Sequence, residues 1–165
     1  MALGHRRVVF LARRITRERS NAFLAQKNAV DRAARVLDVE VLRRTVADSV
    51  VAGASLLTDR RLPRGCTAVV SNNPEALKGL LAAAWSHGVG VPDDFSVVSM
   101  GQAVPYSPDG RLATEVGVGR VRIGRRAGEL LLQRLAEPQA AVEHLMVRAS
   151  LADRGSAAAA GELSV

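Results

Sequence analysis

Short runs of consecutive apolar residues alternate along this chain with longer stretches in which apolar positions recur every three or four residues. Arg7 to Ala12 (Arg-Val-Val-Phe-Leu-Ala), Cys66 to Ser71 (Cys-Thr-Ala-Val-Val-Ser) and Phe95 to Met100 are runs of the first kind, the pattern of strands buried on both faces. Val39 to Leu42 predicts a further strand, and Leu112 to Val116 a strand-like segment behind Pro105, Pro108 and Gly110. Helical spacing is clearest from Arg17 to Leu37, where Phe23, Val30, Ala33, Ala34 and Leu37 share a face opposite Arg19, Lys27, Asp31, Arg32 and Arg35. Val46 to Leu57 predicts a second helix, weakened by Gly53 and by its β-branched valines.

The sharpest local signal is Asn72-Asn73-Pro74-Glu75. An asparagine cap, a proline at the first helical position and an acid in the first turn each favour a helix start. This helix runs through Leu77, Leu80, Leu81, Ala84 and Trp85 to a stop at Gly88. Ile123, Ala127, Leu130, Leu131 and Leu135 predict a last amphipathic helix, and His144 to Arg154 an extended segment. From Gly155 onward the chain is low-complexity (Gly-Ser-Ala-Ala-Ala-Ala-Gly), so residues 155–165 are expected to be a disordered tail. Strands alternating with helices in this way predict an α/β fold, a doubly wound and mostly parallel sheet with helices on both faces. Ligands of such sheets bind beyond the carboxyl ends of the strands. The loops after Ala12, Ser71 and Met100 therefore form the expected functional edge.

Composition narrows the function. With 165 residues, 48% hydrophobic, one globular domain with a buried core is expected. Met1 to Ala12 contains His5, Arg6 and Arg7 but no apolar run long enough for an export signal or membrane span, which predicts a cytoplasmic protein with no membrane partner. Single Cys66 cannot form an internal disulfide, and with no histidine near it reads as a buried structural thiol. The net charge of +7 is uneven: 14 Lys+Arg against 6 Asp+Glu through Arg64, then 9 against 10. Of the 23 basic residues 21 are arginine, in a chain rich in Ala, Gly and Val, a pattern that codon bias also produces. Five aromatic residues make no stacking platform, and neither terminus carries a helix pair able to read a DNA groove, so sequence-specific DNA binding by this chain is not expected.

No catalytic or metal-binding arrangement emerges. His5, His87 and His144 lie far apart, which argues against zinc and against any cofactor of that type. Val97 stands where a nucleophile elbow around Ser99 needs glycine. Gly117, Gly119 and Gly124 do not make Gly-x-Gly-x-x-Gly, and Asp93-Asp94 after Pro92 fit a turn better than acid-base work. The chain is read as a non-enzyme. One charged motif sits at the functional edge: Arg13-Arg14-Ile15-Thr16-Arg17-Glu18-Arg19. It reads equally as a solvated loop and as a grip on an anion or polyhydroxylated ligand near a helix start.

Five blocks, in order, carry a family likeness: Leu3-Gly4-His5-Arg6-Arg7 before a buried strand, Arg19-Ser20-Asn21-Ala22-Phe23 opening a helix, Thr67-Ala68-Val69 leading into Asn72-Asn73 and Ala76, Val91-Pro92-Asp93-Asp94-Phe95-Ser96-Val97-Val98, and Leu151-Ala152-Asp153-Arg154-Gly155-Ser156. Together they resemble the effector-sensing domain of the LacI/GalR family of transcription regulators, homodimers with an N-terminal helix-turn-helix and a two-lobed sensor like a periplasmic sugar-binding protein. The resemblance implies that residues 1–154 are a partial sensor, mainly its C-terminal lobe, lacking the DNA-binding domain and most of the first lobe. Residues 102–119 would then be the crossover to the missing lobe, and 105–119 the least well packed part of the ordered chain.

The resemblance also implies ligand contacts and partners. Arg19 stands at the family's ligand-contacting arginine, Asn72 and Asn73 where the family has Asn-Asp, and Gln102 in the segment Ser99-Met100-Gly101-Gln102 that replaces Gly-Phe-Asp-Asp. Ligand contacts are thus expected from Arg19, Asn72, Asn73 and Gln102, with carboxylates lost at the last two. The implied partner is a small effector, a sugar or nucleobase, and dimerisation is expected around Leu80, Leu81, Ala84 and Trp85 or through the helix with Leu56 and Leu57, with plain core packing as the alternative for these residues and the preferred reading for Leu77 and Leu81. The rival readings are a gene remnant without activity, an exported sugar-binding protein, a non-specific nucleic-acid binder using the Arg-rich first third, and a small α/β enzyme.

Overall fold

The computed structural model describes residues 3–14 and 21–160. Its elements are β1 (Arg7–Arg13), α1 (Asn21–Leu37), β2 (Glu40–Val46), α2 (Val50–Ala54), β3 (Ala68–Ser71), α3 (Pro74–Ser86), β4 (Ser96–Met100), β5 (Thr114–Gly117), α4 (Arg120–Ala136) and β6 (Ser150–Ala152). One six-stranded sheet has the order β2-β1-β3-β4-β5-β6, with β1 to β5 parallel and β6 antiparallel on the far edge. The α/β reading and the mostly parallel sheet therefore hold.

Alternation along the strands decides what each face meets. Val9, Leu11, Val69 and Val97 are fully buried in one core with Leu77, Leu80 and Leu81 of α3. Val8, Phe10, Val41, Val70, Val98, Met100 and Val116 belong to the opposite face, where they line a groove of 530 Å³ together with Val30, Ala33, Ala34 and Leu37 of α1. Of the two surfaces proposed for dimerisation, Leu80, Leu81 and Ala84 are fully buried, Leu56 is 7% exposed, and Leu57 and Trp85 pack against the same core. They are core residues, because α2 and α3 lie together on the inner face.

Several boundaries differ from the expected ones. β2 extends through Arg43, Arg44 and Thr45 to Val46, pairing with β1 along its whole length. As an edge strand it tolerates polar side chains that hid it from the apolar pattern. The following helix shrinks to five residues, capped by Ser49, whose Oγ accepts from the Ala52 amide at 3.3 Å. It crosses α3 backbone to backbone: a Cβ added at Gly53 would stand 1.7 Å from the Ala76 carbonyl oxygen, and one at Gly79 1.7 Å from that of Val50. α3 begins and ends as read, with Asn73 accepting from the Ala76 amide at 3.1 Å and Gly88 at φ +65° after its end.

Two expectations are overturned. Residues 102–119 do not leave the lobe, since β5 pairs with β4 and the connecting segment folds back on α3. Val104 and Ala113 are fully buried, the Ala113 amide donates to the Val104 carbonyl at 2.8 Å, Tyr106 is 2% exposed, and Trp85 Nε1 donates to the Tyr106 carbonyl at 3.0 Å. The loosely packed part is instead α4, which has no buried residue and leaves Val121, Leu131, Leu132 and Leu135 open. Nor are residues 155–160 a free tail. Ser156 is fully buried, its Oγ donating to the Val97 carbonyl at 2.6 Å and accepting from the Thr114 amide at 2.7 Å. The Ala158 amide donates to Ser96 Oγ and the Ala160 amide to the Leu3 carbonyl, so small alanines let this segment lie against strand ends and meet its backbone needs there. Residues 161–165 lie outside the described part.

His5 joins these ends. Its Nε2 donates to the Ala158 carbonyl at 3.1 Å, and its Nδ1 lies 2.8 Å from Thr67 Oγ1. Partial burial lowers its pKa below the ordinary 6.5, against a smaller opposing effect of the Ala158 hydrogen bond. The unfolded chain then takes up a proton before the folded one, so stability is full above pH about 6.5 and declines as pH falls below it. Urea midpoints measured between pH 7.5 and 5.5 are expected to fall for the wild type and to stay flatter for His5→Gln.

Candidate functional site

Because β1, β3, β4 and β5 are parallel neighbours, their carboxyl ends lie along one edge, as the alternating pattern requires. At the centre, Asn72 continues β3 by donating its amide to the Leu11 carbonyl at 3.2 Å. Its side chain is used twice: Oδ1 accepts from the Arg13 amide at 3.1 Å and Nδ2 donates to Gln26 Oε1 at 3.0 Å. It ties β1, β3 and α1 together at the edge. Asn73 is fully buried, with Oδ1 on the Ala76 amide and Nδ2 donating to the Ala47 carbonyl at 3.1 Å. It is therefore a cap and a brace between β2 and α3, with no amide group turned outward.

Gln102 is exposed beyond β4, and its carbonyl accepts from Ser99 Oγ, which fixes the turn after the strand. The Gly101 amide donates to the Val116 carbonyl at 2.8 Å, so this turn is clamped to β5 as well. Arg19 lies outside the described residues, as does the rest of the basic run except Arg13 and Arg14. Arg13 forms an ion pair of 2.8 Å with Asp48, and the Arg14 amide donates to the Val46 carbonyl at 2.7 Å. Asp48 and Gln26 were not singled out in the sequence. Asp48 reaches the edge only because β2 runs four residues further than the apolar pattern implied, and the mid-helix Gln26 carries no motif.

Chemically this edge offers amides, a paired guanidinium and backbone groups, a set suited to hydrogen-bonding a polar ligand. Groups with shifted pKa lie elsewhere. Burial pushes the Cys66 thiol up, with nearby Glu40 adding to the effect, which keeps it protonated and unreactive. The Gly155 amide, then the Thr114 hydroxyl, hold the Asp153 carboxyl below its usual range. Among the described residues no group of three or more His, Cys, Asp or Glu is placed to hold a metal ion, and no helix is long and apolar enough to cross a membrane.

The mostly parallel sheet carries helices on both faces and a polar carboxyl edge, and residues 1–157 match the periplasmic binding protein-like domain family, to which the chain belongs. Its fold is that of the effector domains of LacI-family regulators. A LacI-family regulator from Enterococcus faecium with bound ribose superposes with a TM-score of 0.77 at 19% identity, covering 95% of this chain and 58% of that one. A LacI-family regulatory protein from Corynebacterium glutamicum gives 0.71 at 25% identity, with 94% and 59% covered. The dimeric Lac repressor gives 0.75 at 21%, with 95% and 57% covered. No curated protein matches by sequence. The chain thus spans about three fifths of the length of its structural relatives.

Proposed function

We propose that this chain is the ligand-sensing part of a LacI-type transcription regulator, a cytoplasmic non-enzyme that binds a small polar effector at its carboxyl edge and works as a homodimer. The observation that carries the reading is the edge itself. Gln102 stands exposed beyond β4 while Asn72 locks the ends of β1 and β3 and the adjacent helix α1, in a fold whose E. faecium relative carries ribose. In this reading Gln102, Arg19 and the rim of Asn72 meet the effector, and Asn73 positions them from behind. The open apolar side of α4 supports the further element that a first lobe completes the sensor. Dimerisation then uses surfaces other than the buried faces of α2 and α3.

The test is a thermal-shift screen of neutral sugars and nucleobases against the wild type, Arg19→Ala and Gln102→Ala. A ligand that raises the melting temperature of the wild type is expected to lose most of that shift in both variants. No ligand-dependent shift in any protein would sink the effector reading.

A further inference from the structure

Where the ends of β4, β5 and β6 meet, a cavity of 380 Å³ opens between Gln102, Glu115, Arg120, Ser150 and Arg154. We propose that it binds the anionic group, phosphate or carboxylate, of a small polar effector, with Arg120 as the counter-charge and Gln102 as a hydrogen-bonding neighbour. The inference rests on the effector reading above and names the chemical class.

Charge pairing at the edge carries it. Each described acid there already has a cation: Asp48 lies 2.8 Å from Arg13, and Glu115 lies 3.4 Å from Arg154. Arg154 is further occupied by the Ala113 carbonyl at 2.9 Å. Arg120 differs. Among the described residues its guanidinium meets the Gly101 carbonyl and has no carboxylate within 4.0 Å. One donor group on a backbone oxygen leaves the rest of the planar fork for a ligand, and that fork matches the oxygens of phosphate or carboxylate. Beside it the cavity is lined by the paired Glu115 and Arg154 and by two uncharged groups, the Gln102 amide and the Ser150 hydroxyl, so the one carboxylate facing an entering anion already has its own cation. Gly101, at φ +82° with nothing within 4 Å of where a Cβ would stand, keeps the turn open beside the cavity. A neutral polyol would leave the Arg120 charge without a partner on binding, whereas an anion satisfies it.

Calorimetry on the full 165-residue chain tests this with four probes: ribose, ribose 5-phosphate, ribonate and inorganic phosphate. At least one anionic sugar is expected to bind about tenfold tighter than ribose, to weaken as salt rises, and to lose about tenfold in Arg120→Gln while Arg120→Lys keeps part of it. Comparison of phosphate with ribose 5-phosphate and ribonate separates a free ion from a ligand-borne group. Equal affinity for ribose and its anionic forms would overturn the inference and leave the effector reading standing. So would anion binding that is unchanged in Arg120→Gln when circular dichroism shows both variants folded. Binding of none of the four would overturn it as well, and a positive neutral-ligand screen would then show that the broader reading survives alone.

Discussion

Alanine at Gly79 or at Gly53 is expected to cost about 3 kcal/mol or more of folding stability, the largest effect of any single methyl added to this chain. At both positions the new Cβ meets main chain rather than a flexible side chain, 1.7 Å from a carbonyl oxygen of the facing helix. Relief requires α2 and α3 to separate, which opens the core around Leu77, Leu80 and Leu81. Gly124→Ala and Gly128→Ala provide the contrast. Both sit in α4 with nothing within 4 Å of the new atom, so removal of a mid-helix glycine is expected to stabilise by about 0.5–1 kcal/mol. Chemical denaturation of the four variants checks the pair of outcomes. Equal, small effects in α3 and α4 would contradict the backbone crossing.

Truncation after Arg154 is expected to destabilise the fold by about 3 kcal/mol or more. The shorter form loses the Ser156 contacts to Val97 and Thr114, the Ala158 contact to Ser96 and the acceptor for His5. Ser156→Ala isolates the centre of this lock. It leaves the Thr114 amide and the Val97 carbonyl without their hydroxyl partner in a fully buried position, a loss of about 2–3 kcal/mol. Melting curves that superpose for wild type and the Arg154 truncation would show that the segment contributes nothing.

Much of the architecture was legible because it is local. Apolar runs at Arg7, Ala68 and Ser96 mark strands whose two faces are both covered or half covered, and Asn73-Pro74-Glu75 carries its own cap, start and charge preference. The candidate edge followed from the order of those elements. Its side-chain roles did not, since whether Asn73 turns outward or braces Ala47 depends on where β2 ends, and that depends on pairing with β1. Asp48 stayed hidden for the same reason.

By itself, then, the amino-acid order determined the α/β class, the parallel strand core, the α3 boundaries and the shared carboxyl edge of the parallel strands. These rest on periodicity and capping, which act within a few residues. Only the tertiary structure decided that Tyr106 and Ala113 are core, that Ser156 is a buried clasp, that α2 and α3 touch through Gly53 and Gly79, and that α4 stands open. Each of those depends on partners far away in sequence. A glycine, serine or alanine looks the same whether another backbone lies against it or water does.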